Sequence, residues 1–453
     1  MRGAARFSGG GEITRRELGQ VALAAWLSAG NGAEAVSAST QAPDLAEGAR
    51  WRGDFPALQQ TVNGYPLAYL DSAATTQRPG AVLAALLDYY RHDNANPGAA
   101  LHTLARRAYE HYEDARRTLA AFIHALPDEV VWVRGTTEGI NLVASAWARP
   151  RLRPGDELLL TVAEHASNLL PWQLVAEQTG VNVRYVEVDD EGRVQLDDLD
   201  RKLSERTRLV SFSHVSNVAG YINPAAQICA RARSAGARVL IDAAQSAPHV
   251  PLDVQALGCD FMVFSGHKML GPMGVGILWG RRELLEEMAP YQAGSNMAHA
   301  VDLASQEFEH AARKFGAGTP NVSGAIGLAA AVKYLGTQSR SAIEHHEALL
   351  TRHALEQLTA ISGLRLLGPG SAAQRVPVFS FVLAGHSPAE ILRHLDSRGI
   401  AVRAGDLSAL PLLRRFGVSS AARASCYLYT QTSELDRLAA GLNELAVTRA
   451  EGS

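Results

Sequence analysis

The chain has 453 residues, 47% of them hydrophobic and 20% charged, with a formal charge of -3. That length buries a large core and suits two lobes. The near-neutral balance and the lack of a basic run interleaved with aromatics argue against a nucleic-acid partner.

Residues 1–45 differ from the rest. Thr14-Arg-Arg-Glu-Leu18 precedes a short, weakly apolar run at 21–29, and small residues follow as Ala33-Glu-Ala35 and Val36-Ser-Ala38. This order resembles a twin-arginine export signal with an A-x-A cleavage pattern, which predicts a periplasmic or secreted protein. A disordered tail rich in Gly, Ala and Ser on a cytoplasmic protein is the alternative. No apolar run reaches membrane-spanning length, so no membrane span is expected.

Beyond Asp71, helix-like and strand-like segments alternate. Periodicity predicts amphipathic helices over 80–90 and 105–123, and short apolar strands at 158–162, 181–188, 209–213, 239–241, 261–264 and 274–278, with a helix over 224–234. Strands that alternate with helices imply an α/β fold whose sheet is largely parallel and covered on both faces. Residues 46–319 read as a large domain, with an N-terminal stretch that could pack on the small one. Residues 320–453 read as the smaller α/β domain, with a strand at 376–382, a helix at 388–398 and a strand at 426–429.

Two strand ends carry the chemistry. The first ends in Asp242-Ala-Ala-Gln245, and the next delivers Ser265-Gly-His-Lys268. Taken singly, an Asp and a Lys read as solvated charges or a salt bridge. Together at neighbouring strand ends they suit pyridoxal phosphate, whose ring nitrogen needs a carboxylate and whose aldehyde needs a lysine. Ser265, His267 and Gln245 beside them sharpen the pattern. No G-x-G-x-x-G turn opens the sheet, which disfavours a nicotinamide site. Cys229, Cys259 and Cys426 have neither metal-ligand spacing nor a paired framework, so no metal and no disulfide scaffold is expected.

Further blocks occur in order between about Tyr65 and about Leu445: Tyr69-Leu-Asp-Ser-Ala-Ala74, Tyr90-Arg-His-Asp-Asn-Ala-Asn96, Arg134-Gly-Thr-Thr-Glu-Gly-Ile-Asn141, Glu164-His165, Ser213-His-Val-Ser-Asn217, Gly318-Thr-Pro-Asn321 and Arg423-Ala-Ser425. With them the chain resembles the class V aminotransferase family of pyridoxal-phosphate enzymes, fold type I, and most closely the group II cysteine desulfurases and selenocysteine lyases. The resemblance implies a seven-stranded-type sheet, pyridoxal 5'-phosphate as cofactor, an amino acid or amino-acid-derived substrate, and a homodimer. It implies that Lys268 bonds the cofactor and Asp242 pairs with its ring nitrogen. His165 would stack on the ring and assist proton transfer, and Gln245 would donate to the phenolic oxygen. Thr136 and Thr137 would hold the phosphate at a helix N-terminus together with Ser265 and His267. Thr319 would reach the phosphate bound in the partner subunit. Asn217 and Arg423 would hold the substrate carboxylate, a task that suits the planar guanidinium fork.

The resemblance breaks in one loop. The group II desulfurases carry a nucleophilic cysteine in a loop of the type Arg-x-Gly-His-His-Cys-Ala-x-Pro-Leu, whereas this chain reads Arg403-Ala-Gly-Asp-Leu-Ser-Ala-Leu-Pro-Leu412, with Ser408 at the cysteine position. Gly98-Ala-Ala100 also replaces a His-Arg pair near the family's pocket mouth. Cys426, expected inside a strand over 424–429, reads as a core residue rather than a substitute nucleophile. Ser408 remains a candidate acid, base or hydrogen-bonding group. The leading expectation is a C–S lyase acting by β-elimination on cysteine or a derivative. The alternatives are transamination, epimerisation or oxidative decarboxylation on an amino acid or peptide natural product, a desulfurase with a relocated thiol, and a non-catalytic scaffold.

Overall fold

Alternating burial explains how a single large sheet is covered twice. In the strand Arg238–Asp242, Val239 and Ile241 face one apolar cluster and Leu240 faces another, so each face needs its own layer of helices. The computed structural model describes residues 46–97 and 102–450. The expected export signal and Gly98-Ala-Ala100 lie outside the described residues, which fall in one compact unit.

In chain order, helices α1 (Gly80–Asp88) and α2 (Thr103–Phe122) precede β1 (Val130–Val133), α3 (Thr136–Val143), β2 (Glu157–Thr161), β3 (Asn182–Val186) and β4 (Thr207–Ser213). Then come α4 (Ala225–Ser234), β5 (Arg238–Asp242), β6 (Phe261–Ser265) and β7 (Gly276–Gly280). These seven strands form one sheet in the order β1-β7-β6-β5-β4-β2-β3, in which only β7 runs against its neighbours. The parallel strands β2, β4, β5 and β6 therefore end on one edge, where crossover connections leave room for a ligand.

The chain continues through α5 (Val322–Gly336), which packs on α1 and α2, and α6 (Arg340–Thr359). A four-stranded antiparallel sheet follows, built from β8 (Leu364–Leu367), β9 (Val378–Leu383), β10 (Arg403–Gly405) and β11 (Ala421–Ser425) in the order β8-β9-β11-β10. Helix α7 (Pro388–Asp396) intervenes before β10, and α8 (Thr432–Ala450) closes the chain. The N-terminal segment joins this part: Ala68–Tyr69 pairs in parallel with Ile400–Ala401, and Ser425 N–H donates to Leu70 C=O at 2.8 Å. That pairing carries Asp71 to the edge of the large sheet's cavity.

One expected strand needs correction. Residues 426–429 are buried but lie past the end of β11, which is Ala421–Ser425. Cys426-Tyr-Leu-Tyr429 is the more apolar stretch, yet β9 and β10 pair with the preceding alanine-rich one. The helix expected over 80–90 ends at Asp88 and continues as one wide turn, Tyr89–Asp93.

Candidate active site

Four of the parallel strands end by handing over a polar group to the same hollow. Strand β2 leads to Glu164 and His165, β4 to Asn217, β5 to Asp242, and β6 to the tight turn Gly266–Lys268. A cavity of about 440 Å³ gathers Thr136, Thr137, His165, Asn217, Asp242, Gln245, Ser265, His267, Lys268, Ser408 and Arg423. Every site residue expected from the sequence is there except Thr319, which is exposed elsewhere and accepts from Asn96 Nδ2 at 3.2 Å.

The charges at the cavity floor are shaped by burial. Burial pushes the Lys268 amine down to about 8, against the opposing pull of Asp242. The same desolvation raises the Asp242 carboxyl, while Ala244 N–H, at 2.9 Å from Oδ1, and the Lys268 charge resist it. His165 and His267 are each lowered to about 4, first by burial and then by the Lys268 charge. His165 Nδ1 accepts Ser167 N–H at 3.1 Å, so the neutral ring carries its proton on Nε2.

An anion cup lies at the start of α3. Thr136 N–H donates to Ser265 Oγ at 2.8 Å, the Thr136 hydroxyl meets the same oxygen at 2.9 Å, and the Thr137 hydroxyl meets Ser167 Oγ at 2.8 Å. A Cβ on Gly135 would lie 2.9 Å from Ser265 Oγ, so only glycine lets the turn approach β6 this closely. Thr136, Thr137, Ser265 and His267 border a second hollow that adjoins the first. Hydroxyls at a helix N-terminus suit a phosphate. With Lys268 and Asp242 alongside, the donor set fits pyridoxal phosphate.

At the opposite wall, buried Arg423 donates through Nη1 to Asn217 C=O at 3.0 Å and lies 3.4 Å from Asp71 Oδ1, while its buried Nε has no partner among the described residues. An orphaned guanidinium N–H is what a substrate carboxylate would satisfy. Asp71 also binds Arg403 Nη2 at 2.7 Å. Two expected polar groups are already engaged: Gln245 Nε2 donates to Ala73 C=O at 2.8 Å, and Asn217 Nδ2 donates to Leu407 C=O at 2.9 Å. Asn217 therefore shapes the pocket loop directly.

Sequence reading gave no role to Asp71, Ser167, Arg403 or Asp406. Asp71 and Arg403 stand inside quoted blocks, but their ion pair joins segments far apart in the chain, which no local pattern reveals.

A doubly covered α/β sheet whose parallel strand ends assemble a lysine, a carboxylate and a phosphate cup defines a pyridoxal-phosphate site. The chain matches the family described as Aminotransferase class-V over residues 68–438. It is 45% identical over 398 residues to a cysteine desulfurase of Dickeya dadantii, covering 87% of this chain and 96% of that one. A cysteine desulfurase of Synechococcus elongatus is 46% identical over 395 residues, and there the match spans 87% of this chain but 63% of the relative's length. Among solved structures, the cysteine desulfurase CsdA of Escherichia coli superposes with a TM-score of 0.81 at 38% identity, covering 88% of this chain and 98% of its own. The chain belongs to the aminotransferase class-V family and is a pyridoxal-phosphate-dependent enzyme with cysteine desulfurase-like chemistry.

Proposed function

We propose that this enzyme is a C–S lyase that releases the sulfur of cysteine or a cysteine derivative by β-elimination. One observation carries the reading: Ser408 lines the cavity, and none of the chain's three cysteines does. All three are buried. Burial pushes the Cys229 thiol up to about 12 and holds Cys259 and Cys426 well above the ordinary thiol range, which leaves them poor nucleophiles. A serine hydroxyl cannot store sulfur as a persulfide.

When bound, pyridoxal phosphate supplies an acceptor for the electron pair left at the substrate Cα. Asp242 would keep its ring nitrogen protonated, Thr136, Thr137, Ser265 and His267 would hold its phosphate, and Lys268 would hold its aldehyde carbon. Arg423 orients the substrate through its carboxylate. A lysine amine lowered to about 8 is partly neutral near that pH and accepts the Cα proton. His165, neutral with its proton on Nε2, offers that N–H as a hydrogen bond to the departing sulfur, and the proton that Lys268 takes from Cα is the one the sulfur leaves with. In balance, the Cα–H and Cβ–S bonds break, the Cα pair becomes a Cα=Cβ bond, sulfur leaves with a proton, and the free enamine hydrolyses to pyruvate and ammonium.

The names of the relatives favour a second reading, a cysteine desulfurase that passes sulfur to one of its own thiols and leaves alanine. The two separate on the purified holoenzyme given L-cysteine, with mass spectrometry before any reductant. The lyase reading expects sulfide and pyruvate in equal amounts and no protein persulfide. Alanine with a stoichiometric persulfide on Cys229, Cys259 or Cys426 would overturn it. The homodimer and twin-arginine export belong to the same reading, each with its own test below.

A further inference from the structure

The loop that follows β10 lines the cavity through Asp406, Leu407 and Ser408. This loop is clamped at several points. Ala166 N–H donates to Ser408 C=O at 2.7 Å, Asn217 Nδ2 to Leu407 C=O at 2.9 Å, and Ala409 N–H to Asp406 C=O at 3.0 Å. Leu407 sinks its side chain into the main core although its φ of 52° is left-handed, as is the 52° of Ser408. A loop held in so unfavourable a backbone shape is fixed by its surroundings. Asp406 is therefore a fixed feature of the wall.

Its carboxylate has one oxygen engaged: Oδ1 accepts Ser408 N–H at 2.9 Å. No lysine or arginine pairs with it among the described residues. The cavity wall's cations are accounted for once a substrate is bound: Arg403 faces Asp71, Lys268 faces Asp242, and Arg423, which shares Asp71, takes the substrate's α-carboxylate. The charge of Asp406 is felt at His165, whose ring is neutral and offers no counter-charge. A fixed anion on a substrate pocket, with cations elsewhere already spoken for, is complementary to a cation brought by the ligand. The neighbouring wall at Ala404 and Val215 is apolar and suits a short methylene chain.

We propose that Asp406 forms a distal subsite for a cation, so that the enzyme prefers cysteine derivatives whose sulfur substituent ends in a primary ammonium group. This inference rests on the C–S lyase reading for the identity of the scissile bond. The substrate's own α-carboxylate goes to Arg423, and the distal ammonium donates to Asp406 Oδ2.

Two compounds of equal length test it: S-(2-aminoethyl)-L-cysteine, with the ammonium, and S-propyl-L-cysteine, with a methyl in its place. Each is mixed with the holoenzyme. The dissociation constant is read from the immediate change in cofactor absorbance, and pyruvate release is followed separately. The wild type is expected to bind the aminoethyl compound about tenfold more tightly than the propyl one. Asp406→Asn, whose carbonyl can still accept Ser408 N–H, should bring that ratio close to one, and Asp406→Lys should invert it. Equal binding by the wild type, or a preference that survives both substitutions, overturns the subsite. Discrimination without pyruvate from either compound would sink the lyase reading and leave the subsite standing. Pyruvate from both with a binding ratio near one would do the reverse.

Discussion

Lys268 and His165 face the same electrostatic problem, a base that burial keeps from charging, and the consequences can be separated by pH. An unperturbed imidazole charges near pH 6.5, but His165 is lowered to about 4. His165→Gln should lower kcat by about 100-fold or more, because a positioned acid or base is worth that much. The ratio of wild-type to variant kcat should stay flat from pH 8 to pH 5.5, because the ring does not change its charge in that range. A break at pH 6.5 in that ratio would show a solvated histidine and remove the assignment. Lys268→Ala should abolish elimination and the visible absorbance of the attached cofactor, with far-ultraviolet circular dichroism unchanged. Lys268 was legible in the sequence because its block closes an apolar strand, and His165 through the resemblance of Glu164-His165 to the family. Arg403 was not, because its partner Asp71 arrives from the far end of the chain.

The turn that presents His165 is held by a buried polar network between β2 and β4. Glu164 accepts from Thr161, from Asn168 Nδ2 at 2.7 Å and from Ser213 Oγ at 2.8 Å, and Asn168 Oδ1 accepts from Trp172 Nε1 at 2.9 Å and Ser211 Oγ at 2.7 Å. Burial raises Glu164 from 4.5 to about 7, so between those values the folded chain binds a proton that the unfolded chain has released. Its contribution is fully present below pH 4.5 and is lost as pH rises through 7. Urea unfolding of the wild type and Glu164→Gln should therefore diverge most at low pH, with the wild-type advantage shrinking by up to about 3 kcal/mol between pH 4.5 and 8. A difference independent of pH would mean that the carboxyl is ionised throughout. Elsewhere, the turn carrying Asn217 ends at Gly220, whose φ is 68° and whose Cβ would lie 2.8 Å from Val378 C=O. Gly220→Ala should cost about 1–3 kcal/mol in the same measurement. Five strands of the large sheet, β2, β4, β5, β6 and β7, were readable from sequence as apolar runs buried on both faces, and β3 as a half-exposed one, whereas β1 was not read although it is as apolar. Strand β11 was not: Ala421-Ala-Arg-Ala-Ser425 lacks the branched and aromatic residues that mark strands, and tertiary packing decides its state.

Across the whole chain, the order of the motif blocks made the doubly wound sheet legible, while the docking of residues 68–70 on Ile400–Ala401 and Ser425 was a long-range event that periodicity could not reveal. Two proposals belong to this scale. If Arg15 and Arg16 act as an export pair, replacing both with Lys should leave the protein in the cytoplasm of a host with a twin-arginine system. Intact wild-type protein in the cytoplasm would identify the segment as a tail. The last concerns the residue that the cavity leaves out. Thr319 is exposed and does not line its own chain's pocket, yet it stands in the block Gly318-Thr-Pro-Asn321 that the resemblance assigns to a phosphate across the subunit boundary. A hydroxyl that completes a neighbour's phosphate cup adds one hydrogen bond to a charged group, worth about 1.5–3 kcal/mol. Thr319→Ala should weaken cofactor affinity by roughly tenfold or more, by the same arithmetic, while sedimentation still finds a dimer. A monomeric wild type, or a variant dimer that holds pyridoxal phosphate as tightly as the wild type, would confine the phosphate site to a single chain.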